Sequence, residues 1–143
     1  PRSTLFPYTT LFRSIVQKIL KGQDPLHILG NGSQVRHYTY GGDLAVGIRF
    51  CIEKEEALNN DFNLSTPVST TVLELAEIIW KKINGDKTFR YISDTPFTYD
   101  VQKRVPDINK SKNLLKFEAS TTLDKSLDEI IPWIKEQITL GGI

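Results

Sequence analysis

The sequence predicts an α/β fold in which helices layer against short strands, and three observations carry that prediction. Short apolar runs alternate with segments whose apolar residues recur at helical spacing. Glycine, asparagine and aspartate punctuate the boundaries between them. The composition is that of an ordinary folded domain: 143 residues, 39% hydrophobic and 24% charged, a length that fits one domain and one core. Four short strands and about five helices are too few for a complete doubly wound sheet. The helix faces also carry more apolar surface than such strands can cover.

The first helix is expected over Ile15 to Lys21, where Ile15, Val16, Ile19 and Leu20 form a stripe that Gly22 can end. Leu26 to Leu29 reads as a short strand running into the turn Gly30-Asn31-Gly32-Ser33. Val35 to Tyr40 alternates and contains Tyr38, Thr39 and Tyr40, which favour extended backbone. Asp43 stands where an N-cap belongs, with Leu44, Ile48, Cys51 and Ile52 following at helical spacing to about Lys54. Gly47 weakens that helix by roughly 1 kcal/mol relative to alanine.

Phe62 to Leu64 reads as a short buried strand. The clearest helix spans Val72 to Ile83, opened by the capping box Thr71 and Glu74, with Val72, Leu75, Ala76, Ile79 and Ile83 on one face. Phe89 to Ile92 is the next strand, and Asp94 to Pro106 a polar loop. Asp107 can cap a short helix through Leu115. The last helix begins near Leu123 behind Thr121 and Asp124, and Leu127, Ile130, Ile131, Ile134 and Ile138 share its apolar side. Pro132 should kink or split it, because proline lacks the backbone donor a helix interior uses. Gly141-Gly142 stands at the end of the sequence.

Residues 1–14, PRSTLFPYTTLFRS, are set apart from this pattern. They hold no acidic residue and no clear period, and they read as the translation of a sequencing-library adapter; they are excluded from the fold prediction. The expected organisation is therefore a non-native tail over 1–14 and a truncated domain over 15–143. Without Arg2 and Arg13, 16 Lys and Arg face 17 Asp and Glu. Such a balance gives no reason to propose nucleic acid or a membrane as partner. A single cysteine, Cys51, forms no internal disulfide and reads as a small core residue. No apolar run approaches the roughly 20 residues a membrane helix needs.

No phosphate loop of the Gly-x-Gly-x-x-Gly kind opens a strand–helix unit. His27 and His37 read as isolated, so neither a metal cluster nor a Ser/His/Asp grouping is expected. Two segments carry more. In GNGSQVRHYTYGGD a glycine-rich turn feeds a strand bearing Arg36; in DVQKRVPD a loop bears Lys103 and Arg104 ahead of Asp107. A guanidinium offers paired, charge-assisted hydrogen bonds to phosphate, so two arginines from separate segments could grip one diphosphate. Each also has a carboxylate within sequence reach: Asp43 for Arg36, and Asp100 or Asp107 for Arg104.

Three segments in order resemble one family. GNGSQVRHYTYGGDL is similar to the family's Gly-(Asp/Asn)-Gly-x-x-x-Arg strand followed by an Asp-Leu helix start. FNLSTPVSTTVLELAEII and QKRVPDINKSKNLLKFEASTTLDKSLDEII resemble its next two motifs, the second built on Arg-x-Pro-Asp. The family is the extended short-chain dehydrogenase/reductases, nucleotide-sugar epimerases and dehydratases of the UDP-glucose 4-epimerase kind, and the likeness runs from Ile15 to Ile138. Gly41-Gly42, Lys116, Phe117 and Pro132 depart from its usual residues; Lys116 stands where glycine is common.

The resemblance implies the C-terminal, substrate-binding part of an extended Rossmann-type protein. It assigns the diphosphate to Arg36 and Arg104, the nucleoside to Asp107, and the base to the backbone of His27, Ile28 and Leu29. It places NAD(P) and a catalytic Tyr-x-x-x-Lys pair in a Rossmann half that this chain lacks, so this chain alone should not turn over. It implies a nucleoside-diphosphate sugar as ligand, a homodimeric parent enzyme and a cytoplasmic location. A non-catalytic NAD(P)-binding regulatory protein of the same fold, or an α/β interaction module, are the alternatives.

Overall fold

The computed structural model describes residues 7–141. It divides them into two compact units, where length alone suggested one core. The first gathers residues up to Gly32, Leu73–Asp100 and the chain from Leu127; the second holds Ser33–Val72 and Val101–Ser126. Length bounds how much core a chain can form but says nothing of how the core is divided.

In the first unit, helix α1 (Pro7–Leu20) begins eight residues earlier than the apolar stripe predicted, and so runs through part of the segment set aside as a tail. Its Ile15, Val16 and Ile19 are buried as expected. Strand β1 (Leu26–Leu29) pairs in parallel with β4 (Tyr91–Asp94) from Leu26↔Tyr91 to Leu29↔Asp94. That places β4 two residues later than its apolar run indicated. Phe89 lies ahead of the ladder, 5.8 Å from the Trp80 ring and 5.9 Å from the Tyr91 ring. Its aromatic character serves ring packing, which periodicity cannot separate from strand preference.

Helix α3 (Val72–Asn84) starts where the Thr71 and Glu74 pair predicts and buries Leu75, Ala76 and Ile79. Trp80 is buried too, its Nε1 donating to the Lys87 carbonyl at 2.8 Å. Asp24, ahead of β1, accepts from Lys87 at 2.9 Å and from Arg90 at 3.1 Å, ahead of β4. These cations hold its carboxyl below the ordinary carboxylate range. Helix α4 (Leu123–Thr139) is one element across Pro132, neither split nor ended there. Leu127, Ile131 and Ile134 are buried while Pro132 is exposed, so the carbonyl that loses its donor lies on the solvent side.

The second unit is built on β2 (Val35–Arg36), far shorter than the run Val35 to Tyr40, paired antiparallel with β3 (Thr70–Thr71). Helix α2 (Gly41–Glu53) has Tyr40, not Asp43, at its N-cap. Asp43 sits in the first turn, and its carboxylate accepts from the Thr121 backbone N–H at 2.7 Å and hydroxyl at 2.9 Å. It therefore ties the helix start to a distant segment in place of capping its own backbone.

The core of this unit is Ala57, Leu115, Phe117 and Ala119, with Phe50, Cys51, Phe62 and Leu64 against it. This reverses the expected face of α2: Leu44, Ile48 and Ile52 are exposed, Ile52 at 79%. Gly47 causes the reversal. A Cβ there would meet Phe117 at 3.0 Å and Leu64 at 3.1 Å, so the missing side chain lets α2 approach the core on that side. Phe62 to Leu64 pairs with no strand among the described residues. Its apolar character is accounted for by the core it covers.

Asp107 does cap the short helical segment ahead of Leu115, accepting from the Asn109 N–H at 2.9 Å. That segment finishes as a π-turn over Ser111–Leu115, closed by Lys116 in the left-handed region at φ 55° and ψ 33°. No helix among the described residues is long and apolar enough to cross a membrane. Residues 1–6, Gly142 and Ile143 lie outside the described residues.

A left-handed residue with a Cβ costs roughly 1–2 kcal/mol that glycine avoids. Lys116→Gly should therefore raise the urea midpoint by an amount equivalent to about 1 kcal/mol, with an unchanged m-value. A midpoint that stays or falls would show that the Lys116 side chain compensates the strain.

Candidate functional site

In the second unit, β2 is bonded along both edges. Val35 pairs with Thr71 on one side and bridges in parallel to Lys103 on the other. The Val35 N–H donates to the Gln102 carbonyl at 2.8 Å, and the Arg104 N–H donates to the Val35 carbonyl at 3.1 Å. The same carbonyl accepts from Arg36 Nη1 at 2.8 Å. One oxygen thus holds the guanidinium of Arg36 and the backbone of Arg104. Two arginines 68 positions apart in the sequence are adjacent on neighbouring extended segments.

Their surroundings differ. Arg36 is buried at 8% exposure, and Arg104 is exposed. A guanidinium held inside by backbone presents its fork in a fixed direction. Tyr38 follows two residues after Arg36, within electrostatic reach of its charge. Among the described residues its hydroxyl is buried without a hydrogen-bond partner. Burial pushes its pKa up to about 12, against the opposing pull of the Arg36 charge. The sequence reading missed Tyr38. The signal was its place two residues from Arg36, masked because tyrosine also suits a strand.

Asp107 is in the same unit as both arginines. It is exposed, and its carbonyl accepts from Asn63 Nδ2 at 2.9 Å. His27, Ile28 and Leu29 form part of β1 in the first unit. The backbone of His27 is already engaged there: its N–H by Gln23 at 3.2 Å and its carbonyl by Lys18 at 2.8 Å.

Neither histidine is isolated, as the sequence had suggested. His27 Nδ1 lies 2.8 Å from an Asp94 carboxylate oxygen. His37 lies 2.7 Å from the Thr66 carbonyl and 2.8 Å from the Ser69 hydroxyl. Partners so far apart in sequence leave no local signature. Among the described residues no three His, Cys, Asp or Glu side chains could hold a metal ion together.

Comparison with known proteins identifies the family. The family model described as GDP-mannose 4,6 dehydratase matches residues 1–130. The chain belongs to that family. UDP-glucuronic acid decarboxylase 1 of Arabidopsis thaliana is 30% identical over 138 residues, which are 96% of this chain and 30% of that protein. The solved UDP-glucose 4-epimerase of Thermotoga maritima, bound to UDP-glucose, is 29% identical with a TM-score of 0.74, over 90% of this chain and 40% of that one. A UDP-glucuronic acid 4-epimerase from Bacillus cereus, solved with UDP-glucuronic acid and NAD, shares the fold at a TM-score of 0.77 and 23% identity, over 88% of this chain and 40% of that one. The resemblance to the extended short-chain dehydrogenase/reductases therefore stands, as does the α/β class. The chain spans about a third of the decarboxylase and two fifths of these epimerases.

The described residues do not fit the dinucleotide cradle associated with this family. Among them, the Gly-x-Gly turn at Gly30–Gly32 leads from β1 into strand β2, not into a helix whose N-terminus could face a pyrophosphate. Tyr-x-x-x-Lys spacing does occur once, at Tyr99 and Lys103. That stretch is not helical, so the spacing does not stack the two side chains on a helix face.

The Tyr38 hydroxyl gives a pH dependence with a definite sign. Its folded pKa of about 12 lies above the ordinary 10.0, so the folded state resists an ionisation that the unfolded chain undergoes freely. Stability from this group is intact below pH 10 and declines as the pH rises towards about 12. Tyr38→Phe should be at least as stable as the parent chain near neutrality, because it removes a buried hydroxyl without a partner, and should lose less stability over that alkaline interval in denaturant titrations. Parallel declines for the two chains would refute the burial argument.

Proposed function

We propose that this chain supplies the nucleoside-diphosphate-binding part of a nucleotide-sugar epimerase or dehydratase of the UDP-glucose 4-epimerase kind. The supporting observation is the meeting of the Arg36 guanidinium and the Arg104 backbone at the Val35 carbonyl. On this reading Arg36 is the buried half of a diphosphate clamp and Arg104 the exposed half. The Tyr38 hydroxyl donates to a phosphate oxygen, exchanging a partnerless burial for a hydrogen bond. Asp107 faces the nucleoside. Contact of the His27–Leu29 strand with the base is a separate proposal about the first unit. The relatives named above act on or bind UDP-sugars, which makes UDP the ligand to try first.

Holding the part of the substrate that does not react fixes the sugar, so binding energy far from the reacting carbon can assist the chemistry. NAD(P) is the hydride carrier this reading requires of the whole protein. The described residues do not form its site. The reading extends to a cytoplasmic, homodimeric parent enzyme. It also takes residues 1–14 as adapter-derived and 15–143 as the nucleotide-sugar-binding domain. Matched genomic reads running through codons 1–14 would overturn that last assignment.

Calorimetry of this chain with UDP tests the clamp. A hydrogen bond between charged groups is worth about 1.5–3 kcal/mol, so Arg104→Ala should weaken UDP roughly 10- to 100-fold. Arg104 is exposed, so its loss should leave the fold intact. Arg36→Lys, which keeps the charge but not the fork, should also weaken binding. Unchanged affinity in both variants would remove these residues from the site.

A further inference from the structure

The face of the β2 segment opposite Arg36 carries a second arrangement. Arg36 pairs with Thr70 in the β2–β3 ladder, and one step further along that register His37 comes opposite Ser69. His37 Nδ1 lies 2.7 Å from the Thr66 carbonyl oxygen. A carbonyl can only accept, so Nδ1 carries the proton in the neutral ring. That leaves Nε2 as an acceptor, and the atom 2.8 Å from it is the Ser69 hydroxyl oxygen. Ser69 therefore donates its proton to Nε2.

The loop that presents Ser69 is held from several sides. Thr39 Oγ1 accepts from the Thr66 N–H at 3.0 Å and meets the Ser65 hydroxyl at 3.1 Å. Thr66 Oγ1 accepts from the Val68 N–H at 3.3 Å. Ser65 and Thr66 are buried, whereas Ser69 is exposed. A hydroxyl within hydrogen-bond reach of an imidazole, which is itself oriented by a third group, is the arrangement of an activated nucleophile. A backbone carbonyl here takes the orienting place that a carboxylate often fills.

We infer that Ser69 is a nucleophile activated by His37 and reacts with activated carboxylic esters. Ser69 Oγ forms a bond to the acyl carbon, the bond from that carbon to the leaving oxygen breaks, and the Ser69 proton passes to His37 Nε2 and then to the leaving group. The product is one acyl-serine per chain. The nearby Val72 N–H is spent on the Gln34 carbonyl at 3.0 Å, so that amide does not stabilise an oxyanion, and stoichiometric acylation is what the geometry supports. This inference does not depend on the nucleotide reading, because it uses the other side of the strand.

The test is to expose the 143-residue chain to p-nitrophenyl acetate and follow each serine by peptide mass spectrometry. Ser69 should acetylate about 100-fold faster than the exposed Ser93 and Ser120, the scale of general-base assistance. His37→Asn keeps a donor where Nδ1 sits but has no Nε2, so the loop stays held while Ser69 falls to the rate of the other serines. Ser69→Ala confirms the site of the acetyl group. Equal rates for Ser69 and Ser120 in the unsubstituted chain overturn the inference whether or not the variants fold. So does an unchanged Ser69 rate in a folded His37→Asn chain.

Discussion

The second unit depends on Val35. Its N–H and carbonyl join the 102–104 segment to β2, and its pairing with Thr71 joins β2 to the start of α3. A two-residue strand contributes little by itself, since ladder stability accumulates over several rungs and over cross-strand side-chain pairs. Here each rung is reinforced. Val72 donates to the Gln34 carbonyl, and Arg36 donates to Val35. The charged side chain adds a second bond to a carbonyl that the Arg104 N–H already engages, and the strand in turn fixes the guanidinium. Binding group and scaffold are one set of hydrogen bonds, so the position of Arg36 follows from the fold without a separate support.

How much of this was legible in the sequence depended on the kind of force involved. Helix α3 was readable almost to the residue because burial at helical spacing is a local pattern with strong amplitude. β1 was readable because turn residues bound it closely. α2 shows the limit. Leu44, Ile48 and Ile52 make the better apolar stripe, yet the helix turns Gly47, Phe50 and Cys51 to the core of its unit. A glycine read as a weakness in a helix is also an opening through which two aromatic rings can meet, and Phe50 and Phe117 meet edge to face at 6.5 Å. Period alone ranks stripes by hydrophobicity. It cannot rank them by how closely a partner can approach.

The candidate site was legible in part for a similar reason. Arg36 and Arg104 stood out by residue type, and a family likeness linked them. Their adjacency rests on a single parallel bridge that leaves no trace in composition. Asp43 illustrates the converse. Its type and place suited a cap, and only a threonine 78 positions away shows that it serves as a tether. Tyr38 and His37 were hidden because aromatic and imidazole side chains in an alternating run are explained well enough by strand preference.

Alternation along 35–39 then divides the segment between two chemistries. Arg36 and Tyr38 share a side, where a buried cation lies near a hydroxyl that lacks a partner. His37 and Thr39 share the other, where every polar contact runs to the loop 65–69. The second set holds residues 37–39, which follow β2 outside any ladder: their side chains do the holding that main-chain pairing no longer does. The loop is therefore clamped by residues that alternate in sequence with the buried Arg36 and with Tyr38, whose hydroxyl is buried. Loosening His37 or Thr39 would release the loop first, and would reach Arg36 only through the shared backbone.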